Sequence, residues 1–212
     1  LTKIICLIYL LDYSSIYLAV KLGIDPTPVN AIDFVKDDEV ALLIEPIKYY
    51  LESLPSKENV VKINCAISPT TEESVAQIYY IPERIIIDNG LPFHLKGCNS
   101  INDYHPLQLP YTECVIKEDI PCLPLEKVFK QCDVEGIQNI KIDTEGCDFG
   151  IMLQLIEWLG DKSKDNYPKV VKYETFYADK IDQKNIIAKM TELGYNYNET
   201  PSDTIFTLNI PK

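Results

Sequence analysis

The chain reads as an α/β protein built on an open, mostly parallel sheet. Three observations carry that reading. Apolar runs of strand length alternate with segments whose apolar residues recur at helical spacing. The strand-length runs are apolar throughout, as strands covered on both faces are. Several of them end on a carboxylate, and in such sheets ligands sit just beyond the carboxyl ends of the strands.

Element by element, residues 1–16, with the run "IICLIYLL", predict an N-terminal helix. "IYLAVKLG" (16–23) predicts a buried strand stopping at Gly23, then a two-proline loop and a short helix around Ala31–Val35. "EVALLIEP" (39–46) predicts a strand ending on Glu45 and Pro46. "IKYYLESL" puts Ile47, Tyr50, Leu51 and Leu54 on one helical face. "NVVKINCAIS" (59–68) predicts a third strand, and the β-rich "AQIYYI" (76–81) and "RIIID" (84–88) are expected to pair. From Asn89 to Pro124, prolines and turn residues predict a long functional loop. "PLEKVFKQCDV" predicts a helix with proline at its first turn, and "IQNIKID" the fourth core strand. There follow a helix in "GIMLQLIEWL", a strand in "KVVKYET", a helix in "DQKNIIAKMTELGY" closed by Gly194, and a last strand in "DTIFTLNI".

The 212 residues suffice for one domain, 1–212, with a full core. A formal charge of −12 argues against unaided binding to nucleic acid or to an anionic membrane, both of which would repel it. The run "IICLIYLL" is too short to span a bilayer, which takes ~20 apolar residues. Seven cysteines, an odd and scattered set without a CxxC, predict free thiols in a reducing compartment rather than a disulfide framework or a zinc site. A start at Leu1 rather than Met reads as a domain cut from a longer protein.

Candidate chemistry gathers at the strand ends: Asp25 after Gly23, Glu45, the pair Asp143 and Glu145, and Glu174. A carboxylate at Glu45 suits a vicinal diol, because it accepts two hydrogen bonds; the alternative is an acid at the start of the next helix. Asp143 and Glu145, two apart, share a face on an extended chain. Two such acids share a proton, bind a cation or hold a cationic cofactor group; the alternative is that Asp143 or Thr144 caps the following helix. Glu174 either faces the same crevice or pairs on the surface with Lys172. His94 and His105 are the only histidines, and either could serve as a base for a hydroxyl or lie exposed in the loop.

The stretch "IKIDTEGCDFGIML" resembles the signature strand and helix of the FkbM-type S-adenosylmethionine-dependent methyltransferases. "ALLIEPIKYYLESL", "VVKINCAIS", "LKGCNSI", "LPLEKVFK", "PKVVKYET" and "LGYNYNETPSDTIF" resemble further family segments in the right order, from about Leu18 onward. The resemblance implies a class I, Rossmann-like methyltransferase fold with helices on both faces and an antiparallel C-terminal strand. It implies methyl transfer to oxygen, often on a sugar. By position, Gly23 and Asp25 would flank the methionine part of S-adenosylmethionine, and Glu45 would bind the ribose hydroxyls. Pro46, Ile47, Asn64, Cys65 and Ala66 would border the adenine. Asp143 would sit near the sulfonium and the acceptor hydroxyl, with His105 and Glu145 as further catalytic candidates. In related sugar O-methyltransferases an acid at this strand end holds a divalent metal (magnesium or manganese), a role open here to Asp143, Glu145 and Glu174. Sugar recognition would fall to an acceptor-binding insertion, 89–124, through Asn99, Ser100, Tyr104 and His105.

One departure from the family stands out. Its first strand normally ends in a "GANxG"-like loop, whereas "LGIDPTPVN" holds that place with Gly23 as its one glycine. A non-catalytic glycan- or partner-binding module on a degenerate methyltransferase fold is therefore the competing expectation. A dehydrogenase or epimerase fragment is disfavoured, because no GxGxxG occurs. The chain is also similar to methyltransferase domains in multi-domain glycan-building proteins of large algal viruses. That implies a glycan or nucleotide-sugar-derived acceptor such as rhamnose, covalent glycosyltransferase neighbours and a place in the host cytoplasm.

Overall fold

The computed structural model describes residues 3–9, 39–54, 56–101, 103–144, 146–175 and 179–209, with 3–9 and 39 described as backbone. Among these residues the strands form two sheets. The larger holds β1 (Lys3–Tyr9), β2 (Glu39–Ile44), β3 (Val60–Ile63), β8 (Ile137–Asp143), β9 (Val170–Glu174), β10 (Tyr195–Glu199) and β11 (Asp203–Leu208) in the order β10-β11-β9-β8-β1-β2-β3. From β9 through β3 the neighbours run parallel, and β11 runs antiparallel to both β9 and β10. The chain leaves β1 toward β2 and β3 on one side, then returns to β8 and β9 on the other. The order therefore reverses at β1, and the crevice of such a sheet opens there.

The helices are α1 (Lys48–Ser53), α2 (Glu83–Asp88), α3 (Leu125–Gln131), α4 (Asp148–Gly160) and α5 (Lys180–Glu192). The main core forms where Leu42, Ile44, Ile140, Ile142, Val171 and Phe206 of the large sheet meet Phe129 of α3, Leu155 and Trp158 of α4 and Met190 of α5. The apolar stripes of these helices are what the large sheet needs to cover its residues. Gly194, at φ +100°, follows the end of α5 as its sequence position predicts.

The second sheet joins β4 (Ala66–Ile67), β5 (Ser74–Tyr80), β6 (Ser100–Ile101) and β7 (Ile116–Leu123) in the order β4-β7-β5-β6. It has its own core, where Ala76, Ile78 and Tyr80 of β5 and Ile120 and Cys122 of β7 pack with Ile47 and with Tyr50 of α1. Gln154 ties the two parts together: its Oε1 accepts from the Leu125 backbone N–H (3.0 Å) and its Nε2 donates to the Ser68 carbonyl (2.6 Å). Close approach completes the seam, since a Cβ on Gly150 of α4 would stand 2.3 Å from the Pro69 carbonyl oxygen.

Four expectations change. The segment expected to open residues 1–16 as a helix contains strand β1, because a short apolar run carries no period that separates helix from strand. β1 pairs with both β2 and β8, while the strand expected at 16–23 and the short helix expected around Ala31–Val35 lie outside the described residues. Residues 59–68 are two strands in two sheets, because the Asn64 side chain donates to the Glu45 and Pro46 carbonyls (3.0 and 2.8 Å) and turns the chain away. "RIIID" is helix α2, opened by Pro82 and Glu83 rather than paired with β5. The insertion 89–124 is not one loop: it carries two 3-10 segments, Phe93–Gly97 and Pro106–Cys114, and the eight-residue β7.

Candidate functional site

Glu45 follows β2 directly and is 3% exposed. Its Oε1 accepts from the Ile47 N–H at 2.8 Å, which fixes the carboxyl over the start of α1. Burial pushes its pKa from the ordinary 4.5 up to about 8, and the Ile47 bond only partly opposes that. The group is therefore largely a neutral carboxyl at pH 7, able to donate one hydrogen bond and accept others, which suits a diol.

Asp143 ends β8, in register with Tyr9 at the end of β1, and so stands where the strand order reverses. It too is 3% exposed. Its Oδ2 lies 2.9 Å from the Lys141 ammonium, the neighbour two residues back on the same face. A partly buried ammonium at that distance balances the carboxylate and occupies ground that a divalent metal would need, so these donors fit a metal poorly. Among the described residues no group of three His, Cys, Asp or Glu side chains could hold a metal ion; Glu145, the other member of the expected set, lies outside them.

The turn after β8 is organised by Asp148, a residue the sequence reading passed over. Its carboxylate accepts from the Thr144 Oγ1 (2.9 Å), the Thr144 N–H (3.3 Å) and the Gly146 N–H (3.3 Å). Burial raises its pKa, while these bonds pull the other way. Gly146 makes the turn at φ +114°, a conformation that a side chain resists. The helix start is thus held by an acid reaching back from the first turn of α4, not by a cap from Asp143 or Thr144. The signal was present in "DTEGCD", an acid two residues past a glycine.

A cavity of about 340 Å³ opens beside this turn, lined among others by Gly146, Asp148, Phe149, Glu174, Asp179 and Asp182. The structure thus brings Glu174 and the signature turn to one cavity. Lys172, the alternative partner of Glu174, pairs with Asp203 at 3.1 Å.

The remaining candidates fall elsewhere. Pro46, Ile47, Cys65 and Ala66 are buried, with Cys65 in the main core and Ile47 and Ala66 in the core of the second sheet. Only the exposed Asn64 among the five expected adenine neighbours is neither committed to a core nor fully covered. His105 is buried; its Nδ1 accepts from the Leu107 N–H at 3.2 Å, and burial lowers its pKa. Its backbone N–H donates to Gln108 Oε1 at 3.0 Å, and Gln108 in turn donates to the Tyr79 and Cys98 carbonyls, so the histidine caps a 3-10 segment of the second sheet. Asn99 is fully buried behind Lys96, to whose carbonyl it donates at 3.3 Å, whereas Ser100 and Tyr104 are half exposed. Gly23 and Asp25 lie outside the described residues.

The family description "Methyltransferase FkbM domain" matches residues 28–197. The chain belongs to this family. A second description, "Bacterial phospho-glucose isomerase C-terminal SIS domain", matches residues 1–38, the segment that contains β1. No curated protein and no solved structure matches the chain. The FkbM match covers Glu45, Asp143, Glu174 and the whole second sheet, but it begins after β1.

Proposed function

We propose that this FkbM-family chain is an S-adenosylmethionine-dependent O-methyltransferase of the class I, Rossmann-like kind, acting on a sugar hydroxyl of a glycan, a terminal deoxysugar such as rhamnose being the first candidate. The observation that carries the reading is the pair of buried acids at the carboxyl ends of β2 and β8, the two strands that flank β1. Glu45 is a donor and acceptor fit for the ribose diol, and Asp143 an acceptor fit for a hydroxyl proton. S-adenosylmethionine supplies a methyl group already activated by its positive sulfur. The chain's own work is then alignment and proton handling. Asp143, steadied by Lys141, takes or polarises the hydroxyl proton, and the Asp148-braced turn fixes where Asp143 points. The cavity beside Gly146 and Glu174 gives the acceptor ring room and acceptors for its other hydroxyls.

Calorimetric titration with S-adenosylmethionine and with its demethylated product tests the cofactor half. Micromolar binding is expected, lost in Glu45→Ala and kept in Asp143→Asn. Turnover on a sugar-terminated acceptor is expected to fall by about 10²-fold or more in Asp143→Asn, the scale of a lost general base. Absence of cofactor binding would overturn the enzyme reading in favour of a binding module.

A further inference from the structure

The outer face of the second sheet carries an array of which the sequence names only Ser100 and Tyr104, as sugar-recognition candidates. Along β5, Ala76, Ile78 and Tyr80 are buried, which turns Val75, Gln77 and Tyr79 to the other face. Along β7, Ile120 and Cys122 are buried, and Lys117, Asp119 and Pro121 are exposed. The antiparallel register aligns these as cross-strand rows: Tyr79 opposite Lys117, Gln77 opposite Asp119, Val75 opposite Pro121. On the far side, Tyr79 also pairs with Ser100 of β6.

Each row has a distinct chemistry. At one end Tyr104 meets Tyr79 edge-on, with ring centroids 4.9 Å apart. The Lys117 ammonium lies 4.9 Å from one ring centroid and 4.8 Å from the other. In the middle Gln77 Nε2 donates to Asp119 Oδ1 at 3.2 Å, an exposed planar amide and carboxylate side by side. At the other end Val75 is 73% exposed. The three rows span about 13 Å of sheet. Lys117 and Asp119 cancel in formal charge, so this patch is neutral on a chain of net charge −12.

We propose that this face is a docking platform for a neutral oligosaccharide. Ring faces stack on the C–H faces of sugar rings, and a paired amide and carboxylate bond vicinal hydroxyls from donor and acceptor sides at once. The charge balance fits an uncharged ligand, whereas an anionic one meets the repulsion of the whole chain. The flat, two-strand shape fits an extended chain of sugar rings lying across β5 and β7 better than a single ring held in a pocket. The platform would hold a glycan at a distance from its reacting end, and it stands whether or not methyl transfer occurs.

The test uses the full chain without S-adenosylmethionine, probed on printed neutral and sulfated oligosaccharides that include glucose, mannose, galactose and rhamnose tetrasaccharides. Binders are followed by calorimetry and by amide shift mapping. The expected result is binding of neutral oligosaccharides, with shifts centred on Gln77, Tyr79, Lys117 and Asp119. Tyr79→Ala and Tyr104→Ala should each raise Kd by about tenfold, and Tyr79→Phe by less than about twofold. If Tyr79→Ala fails to fold, the exposed-pair change Gln77→Ala with Asp119→Ala must weaken binding instead. Preference for sulfated chains, shifts elsewhere, unchanged affinity in the folded variants, or no saccharide bound at all would overturn the platform. Since the readout is binding without chemistry, failure here leaves the methyl-transfer reading intact, and the reverse.

Discussion

Glu45 shows how one residue is bent to its place. Its carboxyl is buried at a strand end with one backbone donor, and its pKa rises from 4.5 to about 8. A group raised in this way holds a proton in the folded state that the unfolded chain has already released. Folded stability should therefore fall as pH rises from about 4.5 to about 8, and level off above that. Denaturant unfolding of the wild type and of Glu45→Gln across pH 5 to 9 checks this. The variant should show the shallower decline, and parallel curves would mean that Glu45 is not the group responsible. At the same scale, Asp148 and Lys141 explain why the signature was only half legible. "KIDTEG" announced acids beyond a strand, but which side chains meet across the turn depends on backbone curvature that residue spacing does not encode.

At the scale of elements, α4 sits against the loop after β4 with no room to spare at Gly150. Gly150→Ala should cost about 1–3 kcal/mol through the clash with the Pro69 backbone, despite alanine's better helix propensity. A thermal melt that is unchanged or raised would show that the helix can shift. Elements with one unambiguous period were legible: β2, β8, β9, α3, α4 and α5 lie where their apolar patterns put them. The failures have physical causes. β7 was hidden by Pro121, which lacks the N–H that a central strand residue usually supplies. β6 is two residues long, too short to show alternation. The isoleucines of α2 favour a strand, but Pro82 and Glu83 at its start and Asn89 at its end decide for a helix. Of the candidate site, the acids were legible because charge at the end of an apolar run is conspicuous. Of the platform, Tyr104 was named as a sugar-recognition candidate, but its meeting with Tyr79 and Lys117 was not legible, because that depends on register between strands far apart in the chain.

For the whole molecule, the two sheets are joined by shared core residues such as Ile67 of β4 and by the buried bonds of Gln154. Gln154→Leu leaves the Leu125 N–H and the Ser68 carbonyl without their partner in a buried seam. A loss of roughly 2–4 kcal/mol is expected, about 1–3 kcal/mol for each orphaned group with partial relaxation. Calorimetric melting checks it: Tm should fall by several degrees, and a fall of less than ~1 °C would show that the sheets are held otherwise. The central position of β1 carries one more consequence, this time for synthesis. Ile5 finds its β8 partner in Asn139, about 130 residues downstream, while its partner on β2 is Ala41. At a ribosomal pace of roughly 5–20 residues per second, one edge of β1 waits on the order of ten seconds after the other is paired. During that interval the nascent chain displays an unpaired strand, and chaperone engagement or premature termination before Asp143 would meet the protein at its most adhesive moment.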